Sequence, residues 1–207
     1  MKAISGIVLI CVIFLCSCEK IKEKETYYPN KQLKERWNVT LDAGKEIKNG
    51  LYESWHDNGK RKYVSHYLDD QKHGVHKEFY KDGTKKRREI YHFGSLMGKQ
   101  KRWDKEGNIV SEAVYKDGKK NGKYLQYYKG GKIHKKINFL DDKKFGVQIE
   151  YKEDGNLVNA SWYKEGKPVA APADSAAVVE AAVKEDTASV EISKGEQDEE
   201  EEEVAVE

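Results

Sequence analysis

Residues 74–97 read GVHKEFYKDGTKKRREIYHFGSLM, and this stretch decides the fold. An apolar or aromatic run is followed by Asp82-Gly83, then by a second run ending at Tyr91, then by a polar turn. Two short runs around an Asp-Gly break are typical of a β-hairpin, because the tight turn needs a residue with positive φ and glycine adopts it easily. The stretch therefore predicts two strands of about five to seven residues with two short connections.

The same pattern recurs with a period of 24 residues in four columns of the sequence. The leading glycines are Gly50, Gly74, Gly98, Gly122 and Gly146, and the turn glycines are Gly59, Gly83, Gly107, Gly131 and Gly155. The aromatic columns are Trp55, Phe79, Trp103, Tyr127 and Tyr151, and Tyr67, Tyr91, Tyr115, Phe139 and Tyr163. Four columns over five copies indicate tandem repeats. We therefore predict an all-β fold, an elongated antiparallel meander of hairpin repeats with a disordered C-terminal tail. Such a fold offers a long surface rather than an enclosed pocket.

Alternation along the strands predicts which residues share a face of the sheet. Leu51, Glu53 and Trp55 occupy odd positions after Gly50 and should point to one side. If the second turn is centred near the twentieth position, Tyr67 should lie opposite Gly74, the leading glycine of the next copy. The ring can then pack over bare backbone, so the glycine and aromatic columns should depend on each other.

The best preserved copy reads GKYLQYY at residues 122–128, preceded by DGKKNG at residues 117–122. This pattern resembles the MORN-repeat variant family, in the group known as YwqK-like antitoxin proteins, over roughly residues 50–168. A diverged copy at residues 28–35 carries Lys31 where the turn glycine is expected, and its distance from Gly50 predicts an insertion around residues 38–45. The resemblance implies a binding or scaffolding surface rather than an activity.

The N-terminus carries the features of a secretory signal. A basic start is followed by an apolar stretch over residues 4–14 and by Leu-Cys-Ser-Cys at residues 15–18. The apolar stretch is too short to span a bilayer of about 30 Å comfortably. We therefore predict a lipoprotein signal peptide over residues 1–17 with lipidation, such as palmitate, on Cys18. An uncleaved membrane anchor and modification of Cys16 are the alternatives. The three cysteines all lie in this leader, so no disulfide is expected.

Charge and composition divide the rest of the chain. We predict a tether over residues 18–26, a degenerate capping repeat over 27–49, five repeats over 50–168 and an acidic disordered tail over 169–207. The tail holds thirteen acidic residues against two lysines, a net charge of −11. Since the whole chain carries +2 and Lys2 lies in the leader, residues 18–168 carry +12. The tail has too little apolar surface to fold, apart from a short helix capped by Asp174 or Ser175 and running through Ala182. The lysines of the body either keep the sheet soluble or attract an anionic partner.

No residue pattern predicts catalysis, a cofactor or a metal site. The six histidines fall at different positions of the repeat and do not form a ladder of ligands. The acidic pairs Asp69-Asp70 and Asp141-Asp142 occupy the same turn in two copies, and turn chemistry explains them without a catalytic role.

Aromatic side chains outside the two columns are the candidates for a binding surface. They are Tyr52, Tyr80, Tyr124, Tyr128 and Trp162, whereas the columns themselves are interpreted as packing. We predict a non-enzymatic, membrane-anchored lipoprotein of the bacterial cell envelope that binds a protein or an anionic envelope partner, with no nucleic acid expected. The alternative is an antitoxin-like or immunity protein that neutralises a cognate toxin.

Overall fold

The protein was analysed as a computed structural model that describes residues 21–192, with side chains described through residue 184. These residues form one open antiparallel sheet of sixteen strands followed by a helix, and strand order follows chain order. The elements are β1 Lys22–Tyr27, β2 Leu33–Asp42, β3 Lys45–Trp55, β4 Arg61–Leu68, β5 Gln71–Lys72, β6 Gly74–Phe79, β7 Lys85–His92, β8 Ser95–Leu96, β9 Gly98–Trp103, β10 Ile109–Lys116, β11 Lys119–Tyr127, β12 Ile133–Leu140, β13 Lys143–Lys144, β14 Gly146–Tyr151, β15 Leu157–Lys164, β16 Lys167–Val169 and α1 Ser175–Ile192. The predicted fold class is confirmed.

The first turn of each repeat is built as the sequence predicts. The amide of Tyr80 donates to the carbonyl of Thr84 at 2.8 Å, and the amide of Gly83 donates to the carbonyl of Tyr80 at 2.9 Å. Gly83 has a φ of 94°, so the loop is a type I turn followed by a bulged residue with positive φ. The carboxylate of Asp82 accepts the amide of Thr84 at 2.8 Å and fixes the turn further. Equivalent turns span residues 56–60, 104–108, 128–132 and 152–156.

The second turn of each repeat contains two residues with positive φ. Asp69 and Asp70 have φ values of 51° and 62°, which is the type I′ arrangement of a two-residue hairpin. The Asp70 amide donates to the Lys48 carbonyl at 2.9 Å, and the Asp70 carboxylate accepts the Lys48 amide at 2.7 Å. Asp142 makes the same two bonds with Lys120. The second acid of each pair therefore holds its turn against a neighbouring strand, β3 or β11, which confirms the interpretation of the pairs as turn residues.

The register of the aromatic column differs from the prediction. Tyr67 pairs with Gly50, the leading glycine of its own copy, and Tyr91 pairs with Gly74 in the same way. The prediction that Tyr67 lies opposite Gly74 was wrong. The type I′ turn sets Tyr67 opposite Lys72 on its other side, and a break at His73 separates Lys72 from Gly74. The bulged first turn determines the pairing of ring and glycine instead.

The N-terminal copy keeps the repeat geometry despite its divergence. Lys31 has a φ of 67°, and its amide donates to the carbonyl of Tyr28 at 2.9 Å, as the turn glycines do in the other copies. Strands β2 and β3 form a longer hairpin whose register shifts between Trp37 and Val39, where the insertion is predicted. The segment predicted as a tether becomes strand β1 from Lys22 onward.

Replacing Lys31 with glycine is expected to stabilise the chain. A non-glycine residue at this φ is strained by about 1–2 kcal/mol, and the greater unfolded-state entropy of glycine offsets about half of that. We expect Lys31→Gly to raise the free energy of unfolding in urea by about 0.5–1 kcal/mol. Lys34→Gly, a control inside β2, should lower it by a similar amount because glycine weakens a strand interior. Destabilisation by Lys31→Gly would contradict the assigned turn.

The C-terminal segment contains more structure than the disorder predicted for residues 169–207. Helix α1 begins at Ser175, directly after Asp174, which is one of the two predicted caps and whose carbonyl accepts the amide of Val178. It continues to Ile192 rather than ending near Ala182. Ala182 and Val183 pack against a cluster of Ile133, Ile149 and Tyr151, and Ile149 is fully buried. This packing explains the added length, since tertiary contacts stabilise helices that propensity alone does not. The remaining predictions for the tail and the leader, including Cys18, fall on residues 193–207 and 1–20, outside the described residues.

Candidate functional site

The register divides the side chains of the sheet between two faces. The first, here called the tyrosine face, carries the leading glycines and the aromatic column opposite them, Tyr67, Tyr91, Tyr115, Phe139 and Tyr163. The second, called the tryptophan face, carries Trp55, Phe79, Trp103, Tyr127 and Tyr151. Helix α1 packs against Ile149 and Tyr151, so it covers the tryptophan face in the last copies.

Lysines lie over the rings of the tyrosine face. The ammonium of Lys72 is 4.8 Å from the centre of the Tyr91 ring. Lys48, Lys120 and Lys144 occupy the same place over Tyr67, Phe139 and Tyr163 at 5.3, 5.0 and 4.6 Å. These distances allow cation–π attraction. In the third copy the position is taken by Leu96, so Tyr115 has no lysine from this column. The face thus presents a periodic row of cations on aromatic rings, interrupted once.

A cluster of buried charges lies on the tyrosine face of the second copy. Glu78 accepts from Lys86 at 2.6 Å and pairs with Arg87 at 3.3 Å. Arg87 also pairs with Glu89 at 3.1 Å, and Glu89 accepts the Tyr91 hydroxyl at 2.9 Å. Burial acts to raise the pKa of Glu78, but the hydrogen bond from Lys86 and the charges of Arg87 and Lys86 outweigh it and lower that pKa. The Glu78 carboxylate is therefore ionised near neutral pH, and both carboxylates are paired with cations.

His76 is the one histidine of this cluster and is only 6% exposed. Its ring stacks on Tyr63 with centres 5.5 Å apart, and its Nδ1 is buried without a hydrogen-bond partner. Burial, together with the nearby charge of Lys72, lowers the pKa of His76 to about 4. The imidazole is consequently neutral at physiological pH, and it serves as a packed ring rather than as a charge in the row.

The third copy replaces the charge cluster with a small cavity, here called the donor cavity. Its volume is about 90 Å³. The donors that line it are Gln100, Arg102, Ser111, Tyr115, Lys120 and Tyr124. A second cavity of about 150 Å³ lies on the tryptophan face between Glu112, Lys123 and Leu125. Both are far below the 300–1,000 Å³ of ordinary small-molecule pockets, so each can receive a functional group rather than a whole ligand.

Tyrosine hydroxyls connect neighbouring copies at the edge of the first turns. The hydroxyl of Tyr80 donates to the carbonyl of Trp103 at 3.0 Å, and that of Tyr128 donates to the carbonyl of Tyr151 at 2.9 Å. Tyr28 makes the equivalent bond to Trp55 at 2.8 Å. These side chains therefore hold one hairpin to the next.

Loss of one such hydroxyl should weaken the sheet measurably. We expect Tyr80→Phe to lower the free energy of unfolding by about 1 kcal/mol, because the carbonyl of Trp103 loses its donor. Tyr27→Phe is the control, since the side chain of Tyr27 is largely exposed and should change stability by less than about 0.5 kcal/mol. Urea denaturation of both variants measures the difference. Equal effects would show that the bond to Trp103 contributes nothing specific.

The five residues predicted as a binding surface do not lie together. Tyr52 and Tyr124 are on the tyrosine face, Trp162 is on the tryptophan face beside Val147, and Tyr80 and Tyr128 are at the turn edge. Burial and the neighbouring Glu35, whose carboxylate accepts the Tyr52 hydroxyl at 3.1 Å, raise the pKa of Tyr52 to about 12. Tyr124 lines the donor cavity. Of the five, Tyr52 and Tyr124 share a face, three copies apart.

Sequence reasoning missed the lysine row and the charge cluster. The lysines stand two residues before the leading glycines, so their period of 24 was a readable signal. The cluster had no such signal. Arg87 and Glu89 occur in one copy only, the position of Glu78 carries a glutamate again only in the last copy, and the three come together through the pairing of β6 with β7.

The repeats identified from geometry match a known family. Four tandem segments match the MORN repeat variant. They span residues 48–69, 72–92, 98–117 and 120–141. No curated protein matches the chain. The matched MORN segments include the charge cluster, most of the lysine row and the donor cavity. The copies before and after them share the same turns.

MORN repeats are often binding or scaffolding modules and are generally non-catalytic. In the part of the chain that the structure describes, no group of three or more histidine, cysteine or acidic side chains is arranged to hold a metal ion. The helix in residues 175–192 does not have the length and apolar character needed to cross a membrane.

Proposed function

We propose that this chain is a non-enzymatic binding and scaffolding protein, anchored to a bacterial envelope membrane through lipid on Cys18. Its tyrosine face contacts a protein or anionic partner in the envelope. The proposal rests on the MORN repeats and on one structural observation, the row of lysines over aromatic rings along an open side of the sheet.

The two faces differ in a way that favours the tyrosine face for binding. The contacts of α1 with Ile149 and Tyr151 fall on the tryptophan face, which is therefore partly occupied by the chain itself. The tyrosine face keeps its rings half-buried and its lysines above them. Half-buried rings offer contact area without being fixed in a core, and aromatic residues dominate the energetics of many interfaces.

Charge supports an anionic partner. Residues 18–168 carry a net charge of +12, and the lysine row places part of that charge on one face. A basic surface attracts acidic proteins and polyanions and speeds their association, with a strength that falls as salt is added.

Membrane anchoring is tested by changing the predicted lipidation site. In fractionated bacterial cells, Cys18→Ser is expected to move the chain from the membrane to the soluble fraction and to abolish incorporation of a labelled fatty acid. Cys16→Ser is the matched control, two residues away, and should retain both properties. Membrane retention of Cys18→Ser without label would instead support an uncleaved anchor.

Partner binding is tested by crosslinking in intact cells, with mass spectrometry of the products. Lys144→Glu reverses a charge on the tyrosine face and should reduce recovery of the partner at least tenfold. Lys143→Glu makes the same change one residue earlier, where the side chain points to the other face, and should leave recovery unchanged. Equal recovery from the two variants would exclude the tyrosine face. A recovered partner that is toxic when expressed alone would support the antitoxin alternative.

A further inference from the structure

Some parts of the tyrosine face carry paired acids. The donor cavity differs chemically from all of them. Each of its six donor side chains has an N–H or O–H group, and none of them is acidic. Arg102 is exposed at the cavity and Lys120 is half-buried beside it. A space surrounded by two cations, hydroxyls and an amide has the composition of a site for a small oxyanion.

Comparison with the preceding copy shows how the cavity arises. Arg102 stands where the second copy has Glu78, and Ala113 stands where it has Glu89. In the second copy these two carboxylates neutralise Arg87 and Lys86. In the third copy both acids are missing from the equivalent positions, and Val110 and Ser111 stand where Lys86 and Arg87 do. The acids are therefore lost while two other cations, Arg102 and Lys120, line the cavity.

Two substitutions open the space. Ala113 ends at Cβ, where Glu89 extends a full carboxylate side chain, and Leu96 replaces the lysine that would lie over Tyr115. Two acids reach the cavity's rim, and both already have partners. Glu89 accepts the Gln100 amide at 3.3 Å and is paired with Arg87. Asp142 accepts the backbone amide of Lys120 at 2.8 Å. The resulting 90 Å³ is about three water volumes, which suits one carboxylate or phosphate group.

We propose that the donor cavity binds an oxyanion, a carboxylate or phosphate group of the partner. Arg102 and Lys120 supply the charge, and the hydroxyls of Ser111, Tyr115 and Tyr124 supply directional bonds. The inference rests on the proposed binding function and names the chemical group that the tyrosine face recognises.

The site is tested on the purified full chain by titration with inorganic phosphate and, separately, with acetate. The side-chain Nε–H signal of Arg102 in nuclear magnetic resonance spectra is expected to shift with a dissociation constant of the order of 1–10 mM for the preferred ion. If phosphate binds more tightly than acetate, the group that the cavity recognises is a phosphate. If acetate binds more tightly, the group is a carboxylate. Residues 199–203 are five consecutive glutamates, whose carboxylates can compete with the added ion for the cavity. The same titration is therefore repeated on a chain with all five changed to glutamine.

Matched variants decide whether the signal comes from this cavity. Arg102→Gln and Ala113→Glu are each expected to weaken binding at least about tenfold, the first by removing a donor and the second by restoring the acid of the second copy. Since Arg102→Gln lacks the arginine signal, binding in all variants is followed at the backbone amide of Ser111. Arg88→Gln removes an arginine from the tryptophan face and should leave binding unchanged. Absence of a shift in both the native and the glutamine-tail chains, or equal loss in Arg88→Gln, would overturn the site. These titrations contain no cellular partner and the crosslinking experiment at Lys144 does, so either experiment can fail while the other succeeds. Failure of the cavity and failure of the proposed function are therefore distinguishable.

Discussion

Acidification from pH 7 to pH 4 is expected to destabilise the native chain by about 3 kcal/mol through His76 alone. The pKa of its ring is lowered from 6.5 to about 4 in the folded state, chiefly by burial. Between these two values the unfolded chain binds a proton at this histidine and the folded chain does not, so stability falls as pH falls through that window. Well above pH 6.5 the ring is neutral in both states and the effect vanishes.

The charges around His76 do not reverse the direction of this change in stability with pH. The groups that face it are Tyr63, Lys72, Glu78, Arg87, Glu89 and Tyr91. The two carboxylates favour a charged imidazole, whereas Lys72 and Arg87 oppose it, and burial exceeds each of these charge effects. Since both carboxylates are already paired with Lys86 and Arg87, little of their charge is left to stabilise a proton on the ring.

His76→Gln tests this expectation with a residue that the fold already uses. Gln100 and Gln148 stand at the equivalent position of two other copies, so the variant should fold. Urea denaturation at pH 7 and pH 4 should show a loss of stability in this variant that is smaller than in the native chain by about 3 kcal/mol. His66→Gln is the control, since His66 is exposed, and it should keep the native pH dependence. If His76→Gln keeps the pH dependence of the native chain, the His76 ring titrates normally in the native protein.

A side chain at Gly122 is expected to be among the most damaging single additions to the sheet. Gly122 has a φ of 125°, and a Cβ placed there would lie 3.1 Å from the Cβ of Val114. The backbone strain and the close contact should together lower the free energy of unfolding of Gly122→Ala by about 3 kcal/mol. The contact is with the root of the Val114 side chain, which cannot rotate away.

Gly118→Ala separates the two causes. Gly118 has a φ of 80° but open space around its missing Cβ, so it meets backbone strain alone and should lose about 1 kcal/mol. Asp70 and Asp142 occupy the same turn position in other copies at φ values of 62° and 64°, which shows that this conformation accepts a side chain. Denaturation in urea measures both variants. Similar losses at the two sites would mean that the contact with Val114 relaxes without penalty.

The local elements of this chain follow from short stretches of sequence. Asp82-Gly83 predicts its turn because glycine itself readily adopts a positive φ. Spacing alone placed Lys31 at the position of a turn glycine. The period of 24 residues then fixes the order of the strands, since each hairpin pairs with the next along the chain.

The sites were harder to predict from the sequence because they depend on which strands lie side by side. Glu89 meets Arg87 on its own strand but Gln100 on the next one, and the donor cavity forms from three strands. The binding residues predicted as one group, such as Tyr80 and Trp162, lie in different places because aromatic type does not specify a face without the register.

The sequence by itself determined a repeated all-β meander, the positions of its turns and the alternation of faces, because these depend on backbone preferences within a few residues. Only the tertiary structure decided that Tyr67 lies opposite Gly50, that α1 extends to Ile192, and that His76 is buried beside Lys72. Each of these depends on contacts between residues distant in the chain, and such contacts are chosen by the packing of the whole sheet rather than by any one repeat.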